Sequence, residues 1–164
     1  MDELKQSLDS LFSAQLENRI SLAKTGPRER KRKLKLLLAT FLEMESEAEA
    51  ALYADMKKSA TEAGITEIMG IKTEASFAIK NLNKWMKTRR VGAPITVSFT
   101  RGWIRPEPKG TVLIISPWNY PILLVLNPLI AAVAAGNTAI IKPSEFTPAS
   151  RVFVKKLIEK VFPR

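Results

Sequence analysis

Between Lys109 and Lys142 the chain carries no charged residue. The run GTVLIISPWNYPILLVLNPLIAAVAAGNTAII is long enough to raise a membrane span, since roughly 20 apolar residues cross a bilayer. Its punctuation argues otherwise. Pro117 and Pro121 flank Trp118-Asn119-Tyr120, and Asn127-Pro128 and Gly136-Asn137 interrupt the run again. In lipid those interruptions would leave backbone groups unpaired, whereas a parallel strand and its crossover helix, each covered by neighbours, require such uniformly apolar sequence. The run therefore predicts a strand over Thr111–Ser116, a helix with Pro121 in its first turn running to about Ala135, a Gly136-Asn137 cap, and a second strand over Thr138–Lys142. Thr147 with Pro148 after it predicts an N-cap and a last helix to about Val161. Elements in the order β-α-β-α imply parallel strands joined by a right-handed crossover, the first part of a Rossmann-like sheet inside which the chain ends.

Upstream the periodicity is helical. Leu4, Leu8, Leu11, Phe12 and Leu16 share one helical face, so Asp2–Lys24 reads as an amphipathic helix ended by Thr25-Gly26-Pro27. Residues 28 to about 58 read as one long helix or two. Helical spacing resumes over 61–90 with Ile65, Ile68, Met69, Ala75, Ala78, Ile79, Leu82, Trp85 and Met86. After Val91-Gly92-Ala93-Pro94 the period changes, and ITVSFT followed by RGWIRPEPKG predicts a protruding β-hairpin with Ile95–Thr100 as its first strand. The chain thus divides into a helical region over 1–90, a hairpin over 91–110, and the start of a nucleotide-binding-type α/β domain over 111–164. Fold class is α/β. A two-stranded sheet of this kind has open edges and an uncovered apolar face, so the chain alone is expected to aggregate or pair unless a partner covers them.

The chain has 164 residues, 46% of them hydrophobic, enough for a globular core. Zero cysteines exclude disulfides, thiolate metal sites and a cysteine nucleophile, and zero histidines remove the usual general base near neutral pH. No metal site is expected. The N-terminus MDELKQSLDS carries acids in an amphipathic pattern, unlike a secretory leader, and a cytoplasmic setting is the default expectation. Net charge is +10, with six basic residues in Arg28–Lys35 and a net acidic stretch after it. Leu34, Leu37, Leu38, Phe41 and Leu42 continue the cluster at helical spacing, so it reads as a solvated helix face rather than a nucleic-acid surface.

In open α/β sheets ligands bind beyond the carboxyl ends of the strands, where Ser116–Pro121 and Lys142–Glu145 fall. Asn119 has an amide N–H that can meet a developing oxyanion without ionising; the alternative is a turn residue satisfied by its own backbone. Lys142 and Glu145 can donate to and accept from ribose hydroxyls; the alternative is a surface ion pair. Trp118 can wall a flat ligand or simply pack. Neither GxGxxG nor a Walker A loop is present.

RGWIRPEPKGTVLIISPWNYP followed by AAVAAGNTAIIKPSE resembles the aldehyde dehydrogenase superfamily, most closely the branch holding fatty-aldehyde and other class 3 enzymes. DMKKSATEA and TEIMGIKTEASFAIKNLNKWMK resemble the lead-in of that branch, so the likeness covers nearly the whole chain. The resemblance implies the N-terminal portion of an aldehyde dehydrogenase fold and oxidation of an aldehyde to a carboxylic acid with NAD, NADP being possible. It implies that Asn119 is the side-chain half of an oxyanion hole. Ile115, Ser116, Pro117 and Trp118 would line the nicotinamide cofactor, Lys142 and Glu145 would hold its adenosine ribose, and Tyr120 and Leu124 would face the aldehyde. The hairpin near Ile95–Arg105 would belong to an oligomerisation element, giving a homodimer. Family members are much longer. The catalytic cysteine and the glutamate general base of the family are missing here, so the chain alone is expected to be inactive. Two other readings differ in class: a non-catalytic nucleotide-binding or subunit-pairing module, and a basic helical protein that binds nucleic acid through Arg28–Lys35.

Overall fold

The computed structural model describes residues 2–162, with side chains from residue 5 onward. Helix α1 spans Asp2–Ala23 as its spacing predicts. Its apolar stripe is only partly used: Leu16 and Leu22 are half-buried, while Leu8, Leu11, Phe12 and Ile20 stay exposed. The side chain of Leu4, counted in that stripe, lies outside the described residues. Near Gln15, α1 touches the start of the later sheet, where the Thr138 hydroxyl donates to the Gln15 carbonyl at 3.3 Å.

Gly26 caps and Pro27 opens helix α2, Pro27–Glu43, and α3 follows over Glu45–Met56. The region is therefore two helices, broken at Met44, whose N–H bonds back to the Thr40 and Phe41 carbonyls. Lys57 adopts a left-handed backbone, φ 59°, and ends α3. Ser59 then caps α4, Ala60–Ala63, by accepting from the Glu62 N–H. The helix runs on through a π-turn, Gly64–Ile68, into α5, Met69–Trp85. A π-turn adds a residue to the helical period. Beyond it the inward face is Ile71, Ala75, Ala78 and Leu82, while Ile65, Met69 and Trp85, expected on that face, are exposed.

Antiparallel β1, Arg89–Val91, and β2, Gly102–Ile104, make the expected hairpin, but its first strand lies earlier than the sequence suggests. Ile95–Val97 is a 3₁₀ turn, not a strand. The physical reason is local. The Val97 N–H bonds to the Pro94 carbonyl and both the Thr100 N–H and hydroxyl bond to the Val97 carbonyl, satisfying the segment without a ladder. Ile95 and Phe99 are left fully in solvent.

Strands β3, Thr111–Ile115, and β4, Thr138–Lys142, pair in parallel from Thr111↔Thr138 to Ile115↔Lys142. Helix α6 between them runs Leu123–Ala135, two residues later than Pro121 suggested, and ends on Gly136 at φ 83°. That left-handed cap suits glycine. It is also a close approach, since a Cβ there would sit 2.3 Å from the Arg30 guanidinium. Helix α7 spans Pro148–Val161. Thr147 occupies its N-cap position but its hydroxyl, although buried, bonds to no described residue. The cap comes from α3 instead: the Asp55 carboxylate accepts from the Ala149 and Ser150 N–H groups at 3.0 and 2.7 Å.

A shared core joins the early helices to the late unit. Phe41 of α2 meets Phe153 of α7 edge to face at 6.3 Å, and Leu52, Ile71, Leu126, Ile130 and Leu157 are fully enclosed. Each such side chain contributes roughly 1.5–3 kcal/mol on burial. Ile114 and Ile141 join this core from one face of the sheet, while Leu113 and Ile115 on the other face are exposed. Among the described residues no helix is long and apolar enough to cross a membrane, and no group of three metal-ligating side chains occurs.

Candidate functional site

Parallel pairing brings the two polar corners to the same end of the sheet. Ile115 stands opposite Lys142, and the next residue, Ser116, donates its N–H to the Lys142 carbonyl at 3.1 Å, stitching one corner to the other. Ser116 is buried and its hydroxyl lies 3.3 Å from the Pro117 carbonyl. Ile115, Pro117 and Trp118 are exposed around it, an apolar ledge at the strand end. At the second corner Lys142 and Glu145 form a short ion pair, with both side chains more than half exposed. The Lys142 ammonium, by hydrogen bonding, holds the Glu145 carboxyl below the usual carboxylate range, helped by the residue's own backbone and by Coulomb attraction.

Asn119 sits at the turn between β3 and α6. Its side chain is exposed and makes no hydrogen bond to any described residue, its own backbone included. Its carbonyl, in contrast, is held. Lys58 Nζ donates to it at 3.1 Å and to Glu67 Oε1 at 2.6 Å, and lies 4.3 Å from the centre of the Tyr120 ring. Glu67, fully buried inside the π-turn, uses its other oxygen to accept from the Ile122 and Leu123 N–H groups at 3.0 Å each. Those are the orphan donors at the start of α6, so a carboxylate 55 residues upstream caps this helix. Tyr120 is partly exposed, and its carbonyl accepts from the Leu124 N–H at 2.9 Å. Leu124, half-buried, lies one turn along on the same side.

Sequence reasoning found the two corners and missed what supports them. Lys58 and Glu67 lie nine residues apart in a helical stretch, with no local pattern linking them to Asn119. One signal was present: Glu67 interrupts an apolar face next to Ile68, an acid where only a paired charge survives burial. Asp55 and Arg30 were missed similarly. Arg30 belongs to the basic cluster read as a solvated face, and Arg28, Arg32 and Lys35 do face solvent. Arg30 itself is buried, where it donates to the Thr25 hydroxyl and to the carbonyls of Ala23 and Ala134. Burial lowers its pKa from the ordinary arginine value.

Comparison with known proteins gives a consistent picture. The model of the family described as "Aldehyde dehydrogenase family" matches residues 5–164. The 4,4'-diaponeurosporen-aldehyde dehydrogenase of Staphylococcus aureus is 50% identical over 112 residues, which are 68% of this chain and 24% of that protein. Aldehyde dehydrogenase family 3 member B1 of Mus musculus is 44% identical over 116 residues, 71% of this chain and 24% of that protein. A solved structure described as the substrate-bound state of Staphylococcus aureus AldH superposes with a TM-score of 0.91 at 41% identity, covering 95% of this chain and 34% of that one. The chain spans about a quarter of the length of the curated relatives it matches.

Proposed function

This chain belongs to the aldehyde dehydrogenase family, and from that premise we propose that it acts as the N-terminal part of an NAD(P)-dependent enzyme oxidising an aldehyde to a carboxylic acid. The observation that carries this reading is the Asn119 carboxamide, exposed at the carboxyl end of β3 and unengaged by any described residue, on a loop whose backbone is braced from below. An amide donor held in place stabilises negative charge developing on a carbonyl oxygen without changing its own ionisation. Tyr120 and Leu124, adjoining it, would face the aldehyde.

The residues at the two corners fit a dinucleotide. Ile115, Pro117 and Trp118 offer an exposed apolar ledge that would line a flat ring, and the Ser116 backbone, bonded to the Lys142 carbonyl, ties this ledge to the second corner. Lys142 and Glu145 offer an exposed donor and acceptor for vicinal hydroxyls. A carboxylate at that place repels a 2′-phosphate, which favours NAD over NADP. When bound, the cofactor supplies the hydride acceptor. The family resemblance implies a cysteine nucleophile, and these residues contain no cysteine, so in this reading the nucleophile comes from outside them and the 164 residues alone are inactive. Residues 111–164 then begin the cofactor domain. The hairpin, with Ile95, Phe99 and Trp103 exposed, serves as the pairing arm of a cytoplasmic homodimer.

The decisive test is Asn119→Ala in an active dehydrogenase polypeptide carrying these residues. Loss of one oxyanion donor should lower kcat by roughly a hundred- to a thousandfold. A rate within threefold of the parent sinks the assignment.

A further inference from the structure

We propose that Lys58 and Glu67 are positioning residues that aim the Asn119 carboxamide. Apart from the bond between them, the hydrogen bonds of the pair go to the segment 119–123, which carries Asn119 and opens α6. Lys58 has three N–H groups, and three partners surround its ammonium: the Glu67 carboxylate, the Asn119 carbonyl and the face of the Tyr120 ring. Glu67 accepts from Lys58 with one oxygen and from two backbone N–H groups at the start of α6 with the other. The loop is thus clamped at Asn119 and again at Ile122 and Leu123 by side chains that are themselves nearly or fully buried.

This arrangement constrains direction as well as order. Fixing the Asn119 carbonyl on the buried side fixes the plane of the peptide to Tyr120 and the place of the Asn119 Cα, which narrows the directions open to its side chain. The carbonyl points into the protein toward Lys58, while the side chain is exposed. A paired charge is an expensive way merely to fill space, because an apolar pair of similar volume often stabilises as well or better. A charge pair that also bonds a loop carbonyl and caps a helix fixes geometry that an apolar pair leaves free.

The catalytic consequence rests on the reading of Asn119 given above; the structural one does not. The test is therefore made at both levels. Lys58→Met alone leaves a buried unpaired carboxylate and loses stability as well as the contact, so the working variant is Lys58→Met with Glu67→Gln, which keeps neutrality and an acceptor for the α6 N–H groups. In the active enzyme, selectively labelled at these residues, nuclear magnetic resonance should show Ile122 and Leu123 amide protection retained while the Asn119–Tyr120 segment gains nanosecond motion and its Asn119 side-chain amide signals shift. In the active enzyme the same variant should lose roughly a hundredfold in kcat, the size expected for misplacing a catalytic group by about an ångström, with the cofactor KM within threefold. An Asn119 segment as ordered as in the parent overturns the proposal, as does a cofactor KM that moves with kcat. The unmodified chain gives an independent reading: the Lys58 ε-methylene protons should be shifted upfield by the Tyr120 ring, and random-coil shifts there overturn it too. If Asn119→Ala proves harmless while the loop still loosens in the double variant, it is the catalytic reading of Asn119 that falls.

Discussion

Two lysine–glutamate pairs stand at this sheet end, and they differ in almost everything but composition. Lys58–Glu67 is nearly sealed from solvent and holds a loop carbonyl and a helix start. Lys142–Glu145, three residues apart on an exposed turn, holds only itself. The contrast separates two uses of one chemistry. A buried pair is committed to the fold, and breaking it strands a charge. An exposed pair exchanges its partner for water or a ligand at small cost.

The sharpest way to break this comparison is to remove one lysine from each pair. Lys58→Met should destabilise the chain by about 3–5 kcal/mol, the usual consequence of leaving a buried partner uncompensated, whereas Lys142→Met should leave the denaturation midpoint unchanged. Urea melts of the two variants decide it. Equal losses would mean that burial does not distinguish the pairs. Asp55 offers an intermediate case. It caps α7 from α3 without any lysine, and it is only half-buried. Asp55→Ala should cost about 1 kcal/mol, the ordinary value of a helix cap. A loss as large as that of Lys58→Met would show that long-range capping, not ion pairing, supplies most of what Glu67 does.

These supports explain what could be read in the sequence. Strands β3 and β4, the Gly136 cap and the corner positions were all legible, because each depends on local chemistry: apolar β-branched runs, a left-handed glycine, a proline that stops or starts a helix. The hairpin was legible in kind but not in register, since hydrogen bonds within Pro94–Thr100 won over the ladder that alternation suggested. The inward face was misread at Ile65 and Met69, at the π-turn around Glu67 where the helical period changes, and at Trp85, the last residue of α5, which packs on Phe77 at the surface. Thr147 looked like a cap and is not one, its place being taken by Asp55. Lys58, Glu67, Asp55 and Arg30 all act on backbone far away in sequence, and single-sequence periodicity contains no term for that. The corner positions follow from where the strands end; the buried residues that brace the Asn119 loop required the fold.

The smallest structural effect is expected at Glu145, and it is the most informative about ligand use. Its carboxyl is held below the usual carboxylate range chiefly by the hydrogen bond from Lys142. A depressed folded-state pKa means that whatever the pair contributes is present above the unfolded carboxylate pKa and is lost as pH falls through the lower folded value. Glu145→Gln should therefore match the parent in thermal midpoint at acidic pH, differ at most slightly near neutrality, and lose even that difference in high salt, where exposed charges are screened. Cofactor binding should respond differently. If Lys142 and Glu145 hold ribose hydroxyls, Glu145→Gln in the active enzyme should raise the KM for NAD roughly tenfold, the loss expected when a charged acceptor is neutralised, with kcat preserved. A KM unchanged alongside an unchanged midpoint would leave the second corner as a surface ion pair and confine the chemistry of this chain to the loop that Lys58 and Glu67 hold.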